Sequence, residues 1–268
     1  MNAVSLGPLV MAADRFAAVL GIFVFMIVAG LVARRAGKRL QSWSWWVLGS
    51  AIIAARLGHV VVHWNSFAQE PLRILAVWQG GFYWPPAVVA VALTLVLVLK
   101  DQRLRLWALL PLMLGLVVGN AAWQITGTTR AVALPAAAFQ TLDGQTHELE
   151  SRSDVPKVIN LWATWCPPCR REMPMMAEIA SSRDDVEFVF ANQGEGREDI
   201  EGYLQGNNIK LGTVLLDPFR EMSRHYGAPG LPATLFISAD GALRYAHLGE
   251  ISRENLQTRI AQLRGHEE

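Results

Sequence analysis

Residues 157–172 read KVINLWATWCPPCRRE, in which a short apolar run leads into two cysteines three positions apart. An apolar run of this length is typical of a buried strand. Apolar residues then recur at helical spacing over 173–179, which places the cysteines where a strand turns into a helix. Free N–H groups and the positive end of the dipole at a helix N-terminus stabilise a thiolate. We therefore expect Cys166 to be the attacking thiol and Cys169 to resolve the mixed disulfide.

A second informative stretch lies downstream, where residues 226–237 read YGAPGLPATLFI. Together with the Trp-Cys-Pro-Pro-Cys segment, it resembles the thioredoxin superfamily, and within it the TlpA/ResA/CcmG-like group of membrane-tethered extracytoplasmic reductases. The resemblance covers about residues 134–263 and implies an α/β thioredoxin-like domain. It also implies that Pro232 is a cis-proline packed against the dithiol. Leu231 would then offer backbone groups to a substrate strand.

Two positions beside the dithiol differ from those of ordinary thioredoxins. Asn160 stands where thioredoxins usually carry a buried Asp, and an amide cannot accept a proton. Glu172 matches an acidic residue typical of the TlpA/ResA group, and it should face back toward the dithiol along the helix. We expect it to help move the proton of Cys169, although a solvated acid in the first helical turn is an alternative. The predicted catalytic residues are Cys166, Cys169, Glu172 and Pro232, and the predicted substrate-binding residues are Trp165, Pro167, Pro168 and Leu231.

The sequence gives no reason to expect a cofactor or a nucleic-acid partner. The chain has only two cysteines, so a structural disulfide framework and a four-cysteine zinc site are excluded. Met173, Met175 and Met176 could indicate copper handling, but methionines at helical spacing usually fill gaps in a core. We expect no metal and no cofactor. A net charge of +1 over 268 residues gives no reason to predict a nucleic-acid partner.

The first half of the chain holds most of the long apolar runs, and the composition changes near residues 127–136. This predicts an α-helical transmembrane domain of about four helices in 1–130, followed by the thioredoxin-like domain in 131–268. Crossing a hydrocarbon layer of ~30 Å takes about 20 helical residues. The predicted crossings lie near 16–33, 43–63, 85–99 (entering from about 74) and 106–126.

Basic residues predict the orientation of this membrane half. The two short loops between crossings hold most of the cations, whereas the loop 64–84 carries only Arg73. By the positive-inside rule the two basic loops face the cytoplasm, so both chain ends lie outside. The sequence therefore predicts a multi-pass protein of a bacterial inner membrane, with the dithiol on the periplasmic or outer side of the lipid bilayer. The cations in question are Arg34, Arg35, Lys38, Arg39, Lys100, Arg103 and Arg105.

Part of the membrane half resembles prolipoprotein diacylglyceryl transferases. The segments 55–59 (ARLGH) and 71–81 (PLRILAVWQGG) carry the resemblance, which covers about residues 50–95. Those enzymes have a His-Gly-Gly segment just after the double glycine, but residues 83–86 here read YWPP. No catalytic role carries over, and a degenerate scaffold or a surface for lipid or a membrane partner fits better.

Three ionisable residues share one face near the outer end of the second crossing: Arg56, His59 and His63. Ionisable groups in a membrane helix are candidates for function, so a metal or quinone site is one interpretation. The other is that these side chains reach the lipid headgroups.

The sequence leaves several functions open. The first is a protein-disulfide reductase that opens disulfides of secreted proteins or apocytochrome c through its Cys-Pro-Pro-Cys dithiol. Since both cysteines lie in the second domain, its electrons would come from a separate transmembrane thiol donor, which the resemblance implies is of the DsbD/CcdA type. The alternatives are a thiol oxidase, a non-catalytic redox-sensing or client-docking module, and a lipid-modifying enzyme with an accessory thioredoxin domain.

Overall fold

The computed structural model describes residues 3–6, 9–69, 71–126, 132–135, 137–149 and 155–264. The chain divides into two compact units, one of residues 13–128 and the other of residues 129–268 together with 1–12. The predicted domain boundary at 130 falls outside the described residues and stays a prediction.

Four apolar helices and one short helix build the first unit. They are α1 (Ala13–Ala36), α2 (Lys38–Val62), the short α3 (Trp64–Gln69), α4 (Trp84–Val98) and α5 (Gln102–Thr126). Among the described residues, α1, α2 and α5 are long and apolar enough to cross a membrane, and α4 is shorter at 15 residues. At 1.5 Å per residue, α4 spans about 22 Å. The prediction of an apolar helical region is confirmed.

The expected start of the third crossing near residue 74 is wrong. Two short 3₁₀ turns, Pro71–Leu75 and Val77–Gln79, occupy this stretch instead. Gly80 and Gly81 follow with φ of 79° and 81°, a left-handed conformation that ends any helix before them. The two prolines that open α4 lack only N–H groups that would be unpaired at a helix start.

The Arg56 side chain holds this loop against α2. It is buried, and its guanidinium donates hydrogen bonds to several backbone carbonyls of the loop. Backbone carbonyls that face away from water would otherwise be costly to leave unpaired. The acceptors are the carbonyl oxygens of Arg73 and Gly80 at 2.7 Å, Ile74 at 3.0 Å, Gly81 at 3.1 Å and Ala76 at 3.4 Å.

Small residues let α1 and α5 approach closely. A Cβ added at Gly21 would lie 2.9 Å from the carbonyl oxygen of Gly115, and one added at Gly115 would lie 2.9 Å from the Cβ of Phe25. Close backbone contact of this kind is a common way for membrane helices to associate.

A mixed sheet of seven strands forms the centre of the second unit, in the order β4-β3-β7-β6-β5-β8-β9. A separate antiparallel pair, β1 (Ala3–Leu6) and β2 (Leu9–Ala12), precedes α1. The sheet strands are β3 (Ala138–Thr141), β4 (Thr146–Glu148), β5 (Lys157–Trp162), β6 (Glu187–Gln193), β7 (Thr213–Asp217), β8 (Ala233–Ile237) and β9 (Leu243–Leu248). The helices are α6 (Pro167–Ser181), α7 (Arg197–Gly206), α8 (Glu221–Tyr226) and α9 (Arg253–Arg264).

Strand β5 is the middle of this unit and leads into the dithiol. It pairs in parallel with β6 and antiparallel with β8, and all six of its residues are buried. Val158 belongs to one apolar cluster, whereas Ile159 and Leu161 belong to a second. Because helices and loops cover both faces of the sheet, apolar residues of β5 point to both faces, and its two polar residues, Lys157 and Asn160, are buried as well. The thioredoxin-like α/β fold is confirmed.

Candidate active site

The two cysteines lie at the start of α6, directly after β5. Cys166 is the N-cap residue, and Pro167 and Pro168 fill the first helical positions, where a missing N–H costs little. Cys166 and Cys169 are joined by a disulfide, and the backbone N–H of Cys169 points at the Cys166 sulfur at 3.3 Å. This N–H and the helix dipole would stabilise a thiolate on Cys166 once the bond is opened.

The Glu195 carboxylate stabilises the turn that precedes Cys166. It accepts hydrogen bonds from the backbone N–H of Thr164 and the side-chain amide of Asn192, both at 2.7 Å, and from the Thr164 hydroxyl. Glu195 is not among the residues predicted from the sequence. A usable signal exists, since β5 and β6 are parallel neighbours and the loops after them therefore meet at one edge of the sheet.

The Glu172 carboxyl is buried, with 2% of the residue exposed. One carboxyl oxygen accepts from the Asn160 amide at 3.0 Å, and the other accepts from the backbone N–H of Ile251 at 2.8 Å. Glu172 lies one helical turn after Cys169, which is itself fully buried, so the two side chains share a face of α6. The interpretation of Glu172 as a solvated acid is wrong.

Burial raises the pKa of Glu172 from 4.5 to about 8, and the nearby Glu250 adds to this increase. The hydrogen bonds from Ile251 and Asn160 and the charge of Arg171 oppose it, because they favour the ionised form. With the Cys166–Cys169 disulfide closed, the carboxyl is therefore mostly protonated at neutral pH. It can supply a proton to a neighbouring thiolate and take one back within the pH range in which thiols react.

Asn160 can serve both protonation states of Glu172. Its amide nitrogen donates to Glu172 and, at 3.3 Å, to the Thr234 hydroxyl, while its buried oxygen has no hydrogen-bond partner among the described residues. Turning the amide by 180° would present that oxygen to a protonated carboxyl, and the orientation of such an amide follows from its hydrogen-bond network. An Asp in this place could not donate to an ionised Glu172.

The remaining predicted site residues lie near the cysteines in sequence or in the loop before β8. The Leu231–Pro232 peptide bond is cis, as the resemblance implied, and the Pro232 carbonyl accepts from the N–H of Gly249 at 2.9 Å. Leu231 is half-buried, and Trp165 is 56% exposed. Pro167 is exposed and Pro168 half-buried. Their roles in substrate binding stay predictions.

The methionines after the cysteines pack in the core. Met173 and Met176 are fully buried in the cluster that also contains Cys169, and Met175 packs against it. This supports the packing interpretation.

His59, near the end of α2, and His63, its C-cap residue, lie together in the first unit. The rings of His59 and His63 are 4.4 Å apart between centroids, and Phe67 lies edge-on to His59 at 5.9 Å. The guanidinium of Arg56 donates its hydrogen bonds to the loop carbonyls described above. The metal and quinone interpretations stay untested.

Comparisons with known proteins match the two halves of the chain separately. The Redoxin family model matches residues 129–261, and the prolipoprotein diacylglyceryl transferase family model matches residues 2–125, a wider range than the sequence analysis predicted. The membrane-family match and the apolar helices together indicate a membrane anchor.

Individual relatives are disulfide-exchange proteins. The thiol-disulfide oxidoreductase ResA of Geobacillus thermodenitrificans is 26% identical over 172 residues, which cover 62% of this chain and 98% of ResA. The thiol:disulfide interchange protein DsbE homolog of Paracoccus denitrificans is 30% identical over 128 residues, or 47% of this chain and 70% of that protein. A solved structure of a secreted Mycobacterium tuberculosis disulfide oxidoreductase is 25% identical, covers 47% of this chain and 96% of its own, and gives a TM-score of 0.43. Because the chain is 30% identical to the Paracoccus denitrificans protein and covers 70% of it, the chain belongs to the thiol-disulfide oxidoreductases of the ResA/DsbE type.

Proposed function

We propose that this protein is a membrane-anchored, extracytoplasmic reductase of protein disulfides, with secreted proteins or apocytochrome c as its substrates. The observation that carries the proposal is the buried Glu172 carboxyl beside the dithiol. Strong oxidants of this superfamily are those whose reduced, thiolate form is stabilised. Glu172 works in the opposite direction. When the disulfide is opened, its carboxyl can give its proton to Cys169, and the carboxylate that remains disfavours a thiolate anion nearby. The reduced Cys166 and Cys169 are then a stronger reductant, and they pass electrons to substrates more readily.

In the proposed reaction, the Cys166 thiolate attacks one sulfur of a substrate disulfide and releases the other as a thiolate. The result is a mixed disulfide between Cys166 and the substrate. In the reduced protein, Glu172 is ionised because it gave its proton to Cys169 when the disulfide was opened. It takes this proton back, and the Cys169 thiolate then attacks the Cys166 sulfur and expels the second substrate thiolate. Two electrons have passed to the substrate, and the enzyme is left with the Cys166–Cys169 disulfide found in the structure.

Each turnover requires new electrons. The two cysteines are the only ones in the chain, so no second dithiol of this protein can reduce the disulfide. We propose a separate transmembrane thiol donor of the DsbD/CcdA type. During this return step, the neutral Glu172 carboxyl gives its proton to the Cys169 thiolate that leaves the opened disulfide.

The proposed location is a bacterial inner membrane crossed several times, with the dithiol outside. The helices α1, α2 and α5 support it by length and composition, and α4 is a shorter apolar helix. The basic residues concentrate in the α1–α2 and α4–α5 connections and nearby helix ends, which the positive-inside rule assigns to the cytoplasm.

A thiol oxidase is the second candidate, and one observation favours it. The Cys169 N–H and the N-terminus of α6 stabilise the Cys166 thiolate, and such stabilisation makes a dithiol more oxidising. The Glu172 carboxyl makes the cysteine pair more reducing, whereas the N-terminus of α6 makes it more oxidising.

Trapping in cells tests the proposed roles. Cys169→Ser removes the resolving thiol, so we expect mixed disulfides between Cys166 and extracytoplasmic proteins to accumulate. The matched control Cys166→Ser should accumulate none. If Cys166→Ser captured partners as well as Cys169→Ser does, or if neither variant captured any, the proposed exchange through Cys166 would be wrong.

A further inference from the structure

Two large apolar side chains are strongly exposed in the described part of the thioredoxin-like unit, Trp165 at 56% and Phe219 at 73%. Trp165 directly precedes Cys166, so a polypeptide whose sulfur reaches Cys166 passes beside its ring. Phe219 follows β7 and has no part in the reaction described above. Scattered apolar residues on a surface are ordinary, whereas aromatic side chains grouped beside a reactive centre indicate binding.

Arg220 connects Phe219 to the dithiol. Its guanidinium carbon lies 6.0 Å from the centre of the Trp165 ring. A Cβ added at Gly194 would come within 3.1 Å of the Arg220 Nε. The guanidinium therefore lies close both to the Trp165 ring and to the bare backbone of Gly194, and it is carried by the residue that follows Phe219.

Asp217 holds the turn that carries Phe219 in a single conformation. Its carboxylate accepts from the backbone N–H groups of Glu221 at 2.7 Å and Met222 at 2.9 Å, and its carbonyl accepts from the N–H of Arg220 at 3.1 Å. Arg220 itself adopts a left-handed φ of 55°. Because these amides are already satisfied, Phe219 is presented by an ordered turn, and little ordering remains to oppose binding.

We propose that Phe219 and Trp165, with Arg220 between them, form a recognition surface for an extended segment of the protein substrate. The surface receives an aromatic or branched aliphatic side chain immediately beside the reacting cysteine of the substrate. It is continuous with the exchange site, and the Arg220 cation between the rings disfavours a basic side chain there. This inference rests on the proposed function only in that the client is a protein thiol or disulfide.

The test uses the full-length protein in detergent micelles and two disulfide-linked peptides that differ at one position. The residue after the cysteine is Leu in one peptide and Ser in the other. We expect the reduced protein to react with the Leu peptide about tenfold faster, measured as kcat/KM. Phe219→Ser should lower this preference to about twofold, while Phe219→Leu should keep most of it.

A small reagent without side chains, hydroxyethyl disulfide, separates recognition from chemistry. Its reduction should change by less than about twofold in both Phe219 variants. The proposal is overturned if wild type does not distinguish the peptides, if Phe219→Ser keeps the full preference, or if that variant reacts as slowly with the small reagent as with the Leu peptide.

A failure of the reductase proposal gives a different pattern. The same two peptides are also offered as thiols to the oxidised protein. If the protein is an oxidase, this direction is the faster one, but the preference for the Leu peptide and its loss in Phe219→Ser remain. A preference that is absent in both directions overturns the recognition surface whichever way the electrons flow.

Discussion

Replacing Glu172 with Gln should remove a pH-dependent loss of stability from the thioredoxin-like unit. Burial raises the pKa of Glu172 to about 8 in the folded protein, from 4.5 without burial. Between these values the folded state keeps a proton that the unfolded state has released, so the free energy of unfolding falls as the pH rises. The cost is absent well below pH 4.5 and complete above pH 8. Gln carries no such proton, and its amide can donate to the unpaired oxygen of Asn160.

The size of the effect follows from the two pKa values. Linkage between 4.5 and about 8 gives a loss of about 2.5 kcal/mol between pH 5 and pH 7. With a urea dependence of about 2 kcal/mol per molar for a unit of this size, this corresponds to a midpoint lower by roughly 1 M. In Glu172→Gln, the free energy of unfolding should not show this loss over the same pH change.

Pulse proteolysis of the full-length oxidised protein in detergent micelles measures the urea midpoint of the soluble unit. Glu178→Gln is the matched control, because Glu178 lies on the same helix but is exposed and paired with Arg253. The Arg253 hydrogen bond lowers the pKa of Glu178, the opposite direction from Glu172, so titration of Glu178 does not lower the stability as the pH rises. This control should keep the wild-type change between pH 5 and 7. An equal change in wild type and Glu172→Gln would refute the assigned ionisation.

Three further predictions address the chemistry and the supports of the two units. Glu172→Gln should slow disulfide reduction at pH 7 by about tenfold or more and remove the ionisation near pH 8 from the rate profile, because the proton acceptor for Cys169 is gone; an unchanged profile in stopped-flow measurements would exclude this role. Glu195→Ala should lower the free energy of unfolding by about 1–3 kcal/mol, since Thr164 and Asn192 lose a charged acceptor; pulse proteolysis checks this, and a change below about 0.5 kcal/mol would contradict it. Arg56→Gln should speed amide hydrogen exchange in residues 71–83 by about tenfold, because the loop carbonyls lose most of their donors; exchange unchanged from wild type would show that the loop does not depend on Arg56.

Local patterns predicted the secondary structure around the two cysteines. The strand, turn and helix around Cys166 follow from neighbouring residues, because burial of β5 and the start of α6 depend on a continuous stretch of sequence. The apolar helices were also predictable, since length and hydropathy are local properties. Even the burial of Glu172 was within reach, because it lies at helical spacing from Cys169.

Long-range contacts explain what was not predicted. Glu195 supports the turn before Cys166 from the loop after β6, and no local pattern connects the two. The start of α4 was placed too early because hydropathy alone does not register the 3₁₀ turns or the Arg56 hydrogen bonds that hold them. No local pattern marks Phe219 either, because its link to the dithiol runs through the Arg220 guanidinium, which lies 6.0 Å from the centre of the Trp165 ring.

The direction of electron flow is the central claim, and the equilibrium redox potential tests it most directly. The full-length protein in detergent micelles is equilibrated with glutathione, and the state of Cys166 and Cys169 in growing cells is trapped by alkylation. We predict a potential below about −200 mV and a pair that is mainly reduced in cells. A potential near about −120 mV with the pair oxidised in cells would contradict the reductase account.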